Sequence, residues 1–108
     1  MKRGDVWWVR FGPSVGGEIQ KARPAVIVSN DSANRFLNRL QVVPLTTAAG
    51  RTYPSEAIVE VRGTPHKAMA DQLTTVSQHR LGNQVDRLTE EDMLNVERAI
   101  KTQLGFAG

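Results

Sequence analysis

The sequence predicts a mainly β fold with a C-terminal helix, an α+β arrangement in which a small barrel or curled sheet packs against that helix. Short apolar stretches recur from residue 5 to residue 88, separated by turns that carry Gly and Pro. Residues 89–104 hold the clearest helical repeat, bounded by start and stop signals. The chain has 108 residues, enough for one compact domain, so residues 1–108 are read as a single domain.

The elements follow in order. Asp5-Val6-Trp7-Trp8-Val9-Arg10-Phe11 alternates as a strand, with Trp7, Val9 and Phe11 on one face and Val6, Trp8 and Arg10 on the other. Residues 12–22 read as a loop, led by Gly12-Pro13-Ser14-Val15-Gly16-Gly17. Pro24 lacks an N–H and suits a strand start, and Ala25 to Ser29 is a short buried strand. Residues 30–38 are polar around Phe36-Leu37 and have room for one helical turn. Leu40 to Thr47 is a third strand, in which Pro44 predicts an edge or a bulge. Residues 48–54 form a second loop. Glu56 to Arg62 alternates as a strand closed by Gly63-Thr64-Pro65, Lys67 to Val76 is another strand, and Gln84 to Leu88 a short last one. Thr89 stands at an N-cap, with Glu90, Glu91 and Asp92 in the first turn complementing the helix dipole. Met93, Val96, Ile100 and Leu104 make one apolar stripe, and Gly105 is the stop.

Composition narrows the chemistry. Fourteen Lys and Arg against eleven Asp and Glu give a net charge of +3, which permits a polyanionic partner without requiring one. The absence of cysteine excludes a disulfide framework, a Cys-based zinc site and a thiol nucleophile. His66 and His79 are too isolated to form a metal pair at helical spacing. No phosphate loop of the Walker type and no G-x-S-x-G elbow occur. No metal and no cofactor is therefore expected. The N-terminus lacks the apolar core of a signal peptide and nowhere do about 18 apolar residues run together, so the expected location is the cytoplasm.

Two stretches stand out. Gly16-Gly17-Glu18-Ile19-Gln20-Lys21-Ala22-Arg23-Pro24 brings a carboxylate and a guanidinium to the lip of a strand, and Val43-Pro44-Leu45-Thr46-Thr47 breaks a buried strand into paired hydroxyls. On the residues alone, two readings stand open: a site, or a solvated strand-start charge and an ordinary strand end.

The same stretches carry a resemblance. Lys2-Arg3-Gly4-Asp5-Val6-Trp7-Trp8, then Gly17-Glu18 with Arg23-Pro24-Ala25-Val26-Ile27-Val28-Ser29-Asn30, Val42-Val43-Pro44-Leu45-Thr46, Tyr53-Pro54-Ser55-Glu56 and Met69-Ala70-Asp71-Gln72 resemble, in order and spacing, the MazF/PemK/Kid toxin endoribonucleases. The resemblance implies an SH3-like barrel of the MazF/CcdB type, a homodimer, a MazE-like antitoxin, and cleavage of single-stranded mRNA to 2′,3′-cyclic phosphate and 5′-hydroxyl ends. By position it implies Arg23 and Thr46 as the catalytic pair, with Glu18 and Gly17 in the substrate loop and Asp71-Gln72 in a strand lining the RNA groove. Glu18 is either the base or the group that orients Arg23. Lys21, Arg51 and Lys67 are read as phosphate contacts, and Trp8 as a base-stacking or half-buried packing residue. Gly17, Met69 and Thr74 depart from relatives that carry His, Arg and a basic residue there. The antitoxin is expected to lay an acidic, apolar-anchored segment along this surface, rimmed by Trp7-Trp8 and the loop from Gly12 to Ala22. A noncatalytic CcdB-like toxin that poisons DNA gyrase shares the fold and is the alternative, although it has no use for Arg23 and Thr46.

Overall fold

The computed structural model describes residues 1–12 and 21–107. Among these, seven strands form one antiparallel sheet: β1 (Asp5–Arg10), β2 (Ala22–Ile27), β3 (Arg39–Thr47), β4 (Glu56–Val61), β5 (Thr64–Met69), β6 (Thr74–Ser77) and β7 (Leu81–Arg87). The order is β4-β5-β3-β2-β1-β7, with β6 also paired to β3. Helix α1 (Asp31–Phe36) follows β2, and α2 (Glu90–Leu104) ends the fold.

The sheet curls into a half-barrel and is buried on both sides. Its inner face encloses Val9, Ala25, Ile27, Leu40, Val42 and Val76, with Trp7, Phe11 and Leu81 packed against them. Its outer face, with Val6, Val26, Val43, Leu45 and Val59, lies under Met93, Val96 and Ala99 of α2. This two-sided burial explains why β2 and β3 read as continuous apolar runs rather than clean alternations. Along β1 the alternation holds: Val9, Trp7 and Phe11 face the barrel, Val6 faces the helix, and Trp8 and Arg10 are exposed.

The α2 helix starts as expected, with the Thr89 side chain accepting from the Asp92 N–H at 3.1 Å. It stops at Gly105, whose φ of 76° lies in the left-handed region. The buried stripe is Met93, Val96 and Ala99, with Ile100 half-buried; Leu104 is exposed and leaves the stripe. The polar stretch 30–38 does hold a short helix, capped by Asn30 through a 2.8 Å bond from the Ala33 N–H.

Other boundaries differ from the sequence reading. The β2 strand begins at Ala22, so Arg23 and Pro24 lie inside it, and β7 begins at Leu81. Residues 63–65 do not close β4. Arg62 and Gly63 both have positive φ, 49° and 77°, and form a two-residue hairpin turn, so Thr64 and Pro65 already belong to β5. Asp86 secures this turn by accepting the Arg62 N–H at 2.7 Å, and Arg62 Nε donates to the Val85 carbonyl. The Arg62 N–H bond, followed by that from Arg87, holds the Asp86 carboxyl below the usual aspartate range. That stabilisation is present above the ordinary aspartate pKa and is lost as pH falls through the lowered one.

The stretch from Lys67 to Val76 is not one strand. A 3-10 turn at Ala70–Gln72 separates β5 from β6, and the Ala70 N–H leaves the ladder to bond the Ser55 carbonyl at 3.1 Å. The two halves pair with different parts of β3: residues 39–42 with β6, residues 45–47 with β5. Pro44 sits where β3 changes partner, fully buried inside the sheet and opposite Ala25, rather than at an edge. A position without a partner on one flank tolerates the missing donor.

Candidate active site

The curl of β2 and β3 sets the central pair. Ala25 lies opposite Pro44, Val26 opposite Val43 and Ile27 opposite Val42. Carrying that antiparallel register two residues further places Arg23 opposite Thr46, on the same face of the sheet as Val9, the β1 partner of Arg23. The side chains meet there, with Arg23 Nη1 donating to Thr46 Oγ1 at 3.5 Å. Both residues are half-buried. Among the described residues, the buried Arg23 Nε has no hydrogen-bond partner and no carboxylate forms an ion pair with this guanidinium. A buried donor without an acceptor costs about 1 to 3 kcal/mol, so this Nε calls for an acceptor beyond those the described residues offer it.

Thr46 is the cross-strand partner of Lys67 on β5, so Arg23, Thr46 and Lys67 form one row across three strands. Lys67 does not offer its charge to a ligand as the sequence reading expected. It is buried, its Nζ donates to the Arg51 carbonyl at 2.5 Å, and Glu56 Oε1 lies 3.8 Å away.

Lys21 is exposed at the start of the row, two residues before Arg23. Its backbone is left-handed, with φ of 63°, and it exchanges hydrogen bonds with the segment before the loop: Lys21 N–H to Gly12 carbonyl at 3.0 Å, Phe11 N–H to Lys21 carbonyl at 2.8 Å. These bonds fix where the chain leaves β1 and enters β2. Gly17 and Glu18 lie outside the described residues.

Asp71 and Gln72 sit in the 3-10 turn after β5, not in a strand; Asp71 is exposed and Gln72 half-buried. Trp8 is 44% exposed but shares its face with Val6, opposite to that of Arg23 and Thr46. The indole on the site's face is Trp7, whose Nε1 is the other buried donor without a partner among the described side chains. Strand alternation relative to Arg23 carries the signal that separates the two tryptophans. His66 pairs with Thr47, one residue out of phase with Thr46, and its Nδ1 lies 3.0 Å from the Thr64 carbonyl. His79 is exposed on a 3-10 turn. Among the described residues no group of three His, Asp or Glu side chains is placed to hold a metal ion.

Residues 2–104 match the family model described as PemK-like, MazF-like toxin of type II toxin-antitoxin system. The chain belongs to this toxin family. It is 33% identical over 113 residues to endoribonuclease MazF9 of Mycobacterium tuberculosis, a match covering 96% of each sequence. It is 27% identical to endoribonuclease EndoA of Bacillus subtilis, over 98% of this chain and 96% of the other. Among solved structures, an endoribonuclease in complex with its cognate antitoxin from a mycobacterial species superposes with a TM-score of 0.84 at 28% identity, covering 100% of this chain and 98% of that one. MazF of Deinococcus radiodurans gives 0.84 at 24% identity over 97% and 96%, a likeness of fold.

The toxin is thus of the MazF endoribonuclease type, and the gyrase-poison reading is not favoured. Of the stretches that resemble the family, those within the described residues fall on β1, on β2, on β3, before β4 and at the end of β5, around the Arg23–Thr46 row. No helix among the described residues is long and apolar enough to cross a membrane.

Proposed function

We propose that the toxin cuts single-stranded mRNA with Arg23 and Thr46 as its catalytic pair and the ribose 2′-OH of the substrate as nucleophile. The observation that carries this reading is the Arg23–Thr46 contact, with the guanidinium Nε buried beside it and unmatched among the described residues. The 2′-oxygen attacks the adjacent phosphorus and loses its proton, and the bond from phosphorus to the 5′-oxygen breaks. That oxygen leaves with a proton, and the products carry 2′,3′-cyclic phosphate and 5′-hydroxyl ends. No protein nucleophile is consumed. The chain's task is to stabilise charge on the phosphorane, where fixed donors act strongly. A guanidinium fork matches the non-bridging oxygens, and the Thr46 hydroxyl donates one more bond.

Arg23 is a poor proton acceptor, since its pKa stays above about 12. Glu18, in the stretch of sequence between Gly12 and Lys21, is the carboxylate proposed either to take the proton or to orient Arg23. The exposed Lys21 flanks the site as a phosphate contact. The toxin works in the cytoplasm as a homodimer, and a MazE-like antitoxin silences it by laying an acidic segment along the same electropositive surface.

The test is cleavage of a long single-stranded RNA in excess chelator, with both ends of each product mapped. Undiminished cleavage with cyclic-phosphate ends is expected. Cleavage lost with the chelator, or products ending in 3′-hydroxyl, would remove this mechanism.

A further inference from the structure

Lys67 poses a question that the catalytic pair leaves open, because a lysine 7% exposed is rarely tolerated without a purpose. Its stem rises from the strand position opposite Thr46, on the face of the site, and its Nζ reaches the Arg51 carbonyl. Glu56, the partner of Lys67, accepts the Tyr53 N–H through the same Oε1 at 2.9 Å, while the Glu56 N–H donates to the Tyr53 carbonyl at 2.9 Å. The buried Lys67 and the half-buried Glu56 therefore grip the backbone of the 48–54 loop at two points. Arg98 of α2 braces it from outside through the Pro54 and Glu56 carbonyls, both at 3.0 Å.

What this clamp holds up is an aromatic ring. The Arg51 guanidinium carbon lies 5.3 Å from the centroid of the Tyr53 ring, and Tyr53 is 54% exposed. An exposed tyrosine with a cation on one face has the makings of a stacking platform for a nucleobase, with the guanidinium set for the neighbouring phosphate. The side chain of Lys67, the strand partner of Thr46, links it to the row of the site. We propose that Arg51 and Tyr53 form a base-stacking subsite for single-stranded RNA next to the scissile phosphate, and that Lys67 and Glu56 are positioning residues that hold it. The inference rests on the RNA-cleaving reading above.

The test uses RNA oligonucleotides that span the mapped cleavage site and carry 2-aminopurine at each flanking position in turn. A 2′-deoxy sugar at the scissile step blocks cutting. The wild-type protein should quench the fluorescence at one position. Tyr53→Ala should abolish that quench and raise KM for cleavable RNA roughly 5- to 100-fold, well beyond any fall in kcat; Tyr53→Trp should keep the quench. Arg51→Ala should reduce the salt slope of binding by about one. Lys67→Met should weaken the quench and raise KM more than it lowers kcat, although it removes nothing that touches RNA. Quenching at no position, or quench and KM unchanged in Tyr53→Ala, overturns the proposal. A Tyr53-dependent quench in a protein whose Arg23→Ala variant cuts RNA at the wild-type rate would leave the platform standing and remove the Arg23–Thr46 reading instead.

Discussion

Replacing Arg23 with alanine is expected to lower the RNA cleavage rate roughly 100- to 1,000-fold, the usual cost of losing one preorganised charge stabiliser. The loss should fall on kcat, because a group matched to the phosphorane contributes most in the transition state. The variant should still fold. Arg23 is half-buried, its side chain bonds Thr46 through the long 3.5 Å contact, and its Nε has no partner among the described residues. A thermal melt within a few degrees of the wild type, beside a collapsed rate, is the expected pair of results. Thr46→Val should cost less, since it removes one neutral hydrogen bond rather than a charge. A near-wild-type rate for Arg23→Ala would remove the site.

The residue beside Thr46 should behave in the opposite way. Leu45 points to the other face of β3, fully buried against Ala57, Val59 and Val96 in the core under α2. Truncation to alanine opens a cavity that the two-sided sheet cannot readily close, and should cost about 2 to 5 kcal/mol. For a domain of this size that lowers the melting midpoint by roughly 10 °C or more. Well below that midpoint the folded fraction should cut RNA with a kcat near that of the wild type, because no atom of Leu45 lies on the catalytic face. The check is a melt combined with a rate measured at low temperature. A variant that melts normally but is inactive would place Leu45 in the site and contradict the facing of β3.

Much of this fold was legible because the signals were local. The β1 alternation, the Thr89 cap, the acidic first turn of α2 and the Gly105 stop all depend on residues within a few positions of one another. What stayed hidden was long-range. The break at Ala70–Gln72 carries no Gly or Pro, and it forms because Ala70 bonds Ser55 on a separate segment. Pro44 is tolerated inside the sheet only because β3 changes partners there, which no residue of β3 itself announces.

The site divides along the same line. Arg23 and Thr46 were picked out by resemblance, and the register of β2 against β3 supplies the physical reason they meet. Lys67 looked like a free cation because its partners are a carboxylate and a carbonyl on other segments. For the two indoles, alternation along β1 separates their faces, but only the pairing of β1 with β2, which sets Val9 opposite Arg23, puts Trp7 rather than Trp8 on the face of Arg23.

The central claim is that the attacking group belongs to the substrate and that the protein supplies only charge stabilisation and proton transfer. The most direct measurement takes a single-stranded RNA that the toxin cuts at one mapped site and replaces only the ribose 5′ of the scissile phosphate with its 2′-deoxy form. The modified strand should bind with nearly unchanged affinity and remain uncut while its all-ribose parent is consumed. Cleavage of the deoxy strand at the same phosphate would mean that water or a protein group attacks, and would contradict the roles assigned to Arg23 and Thr46.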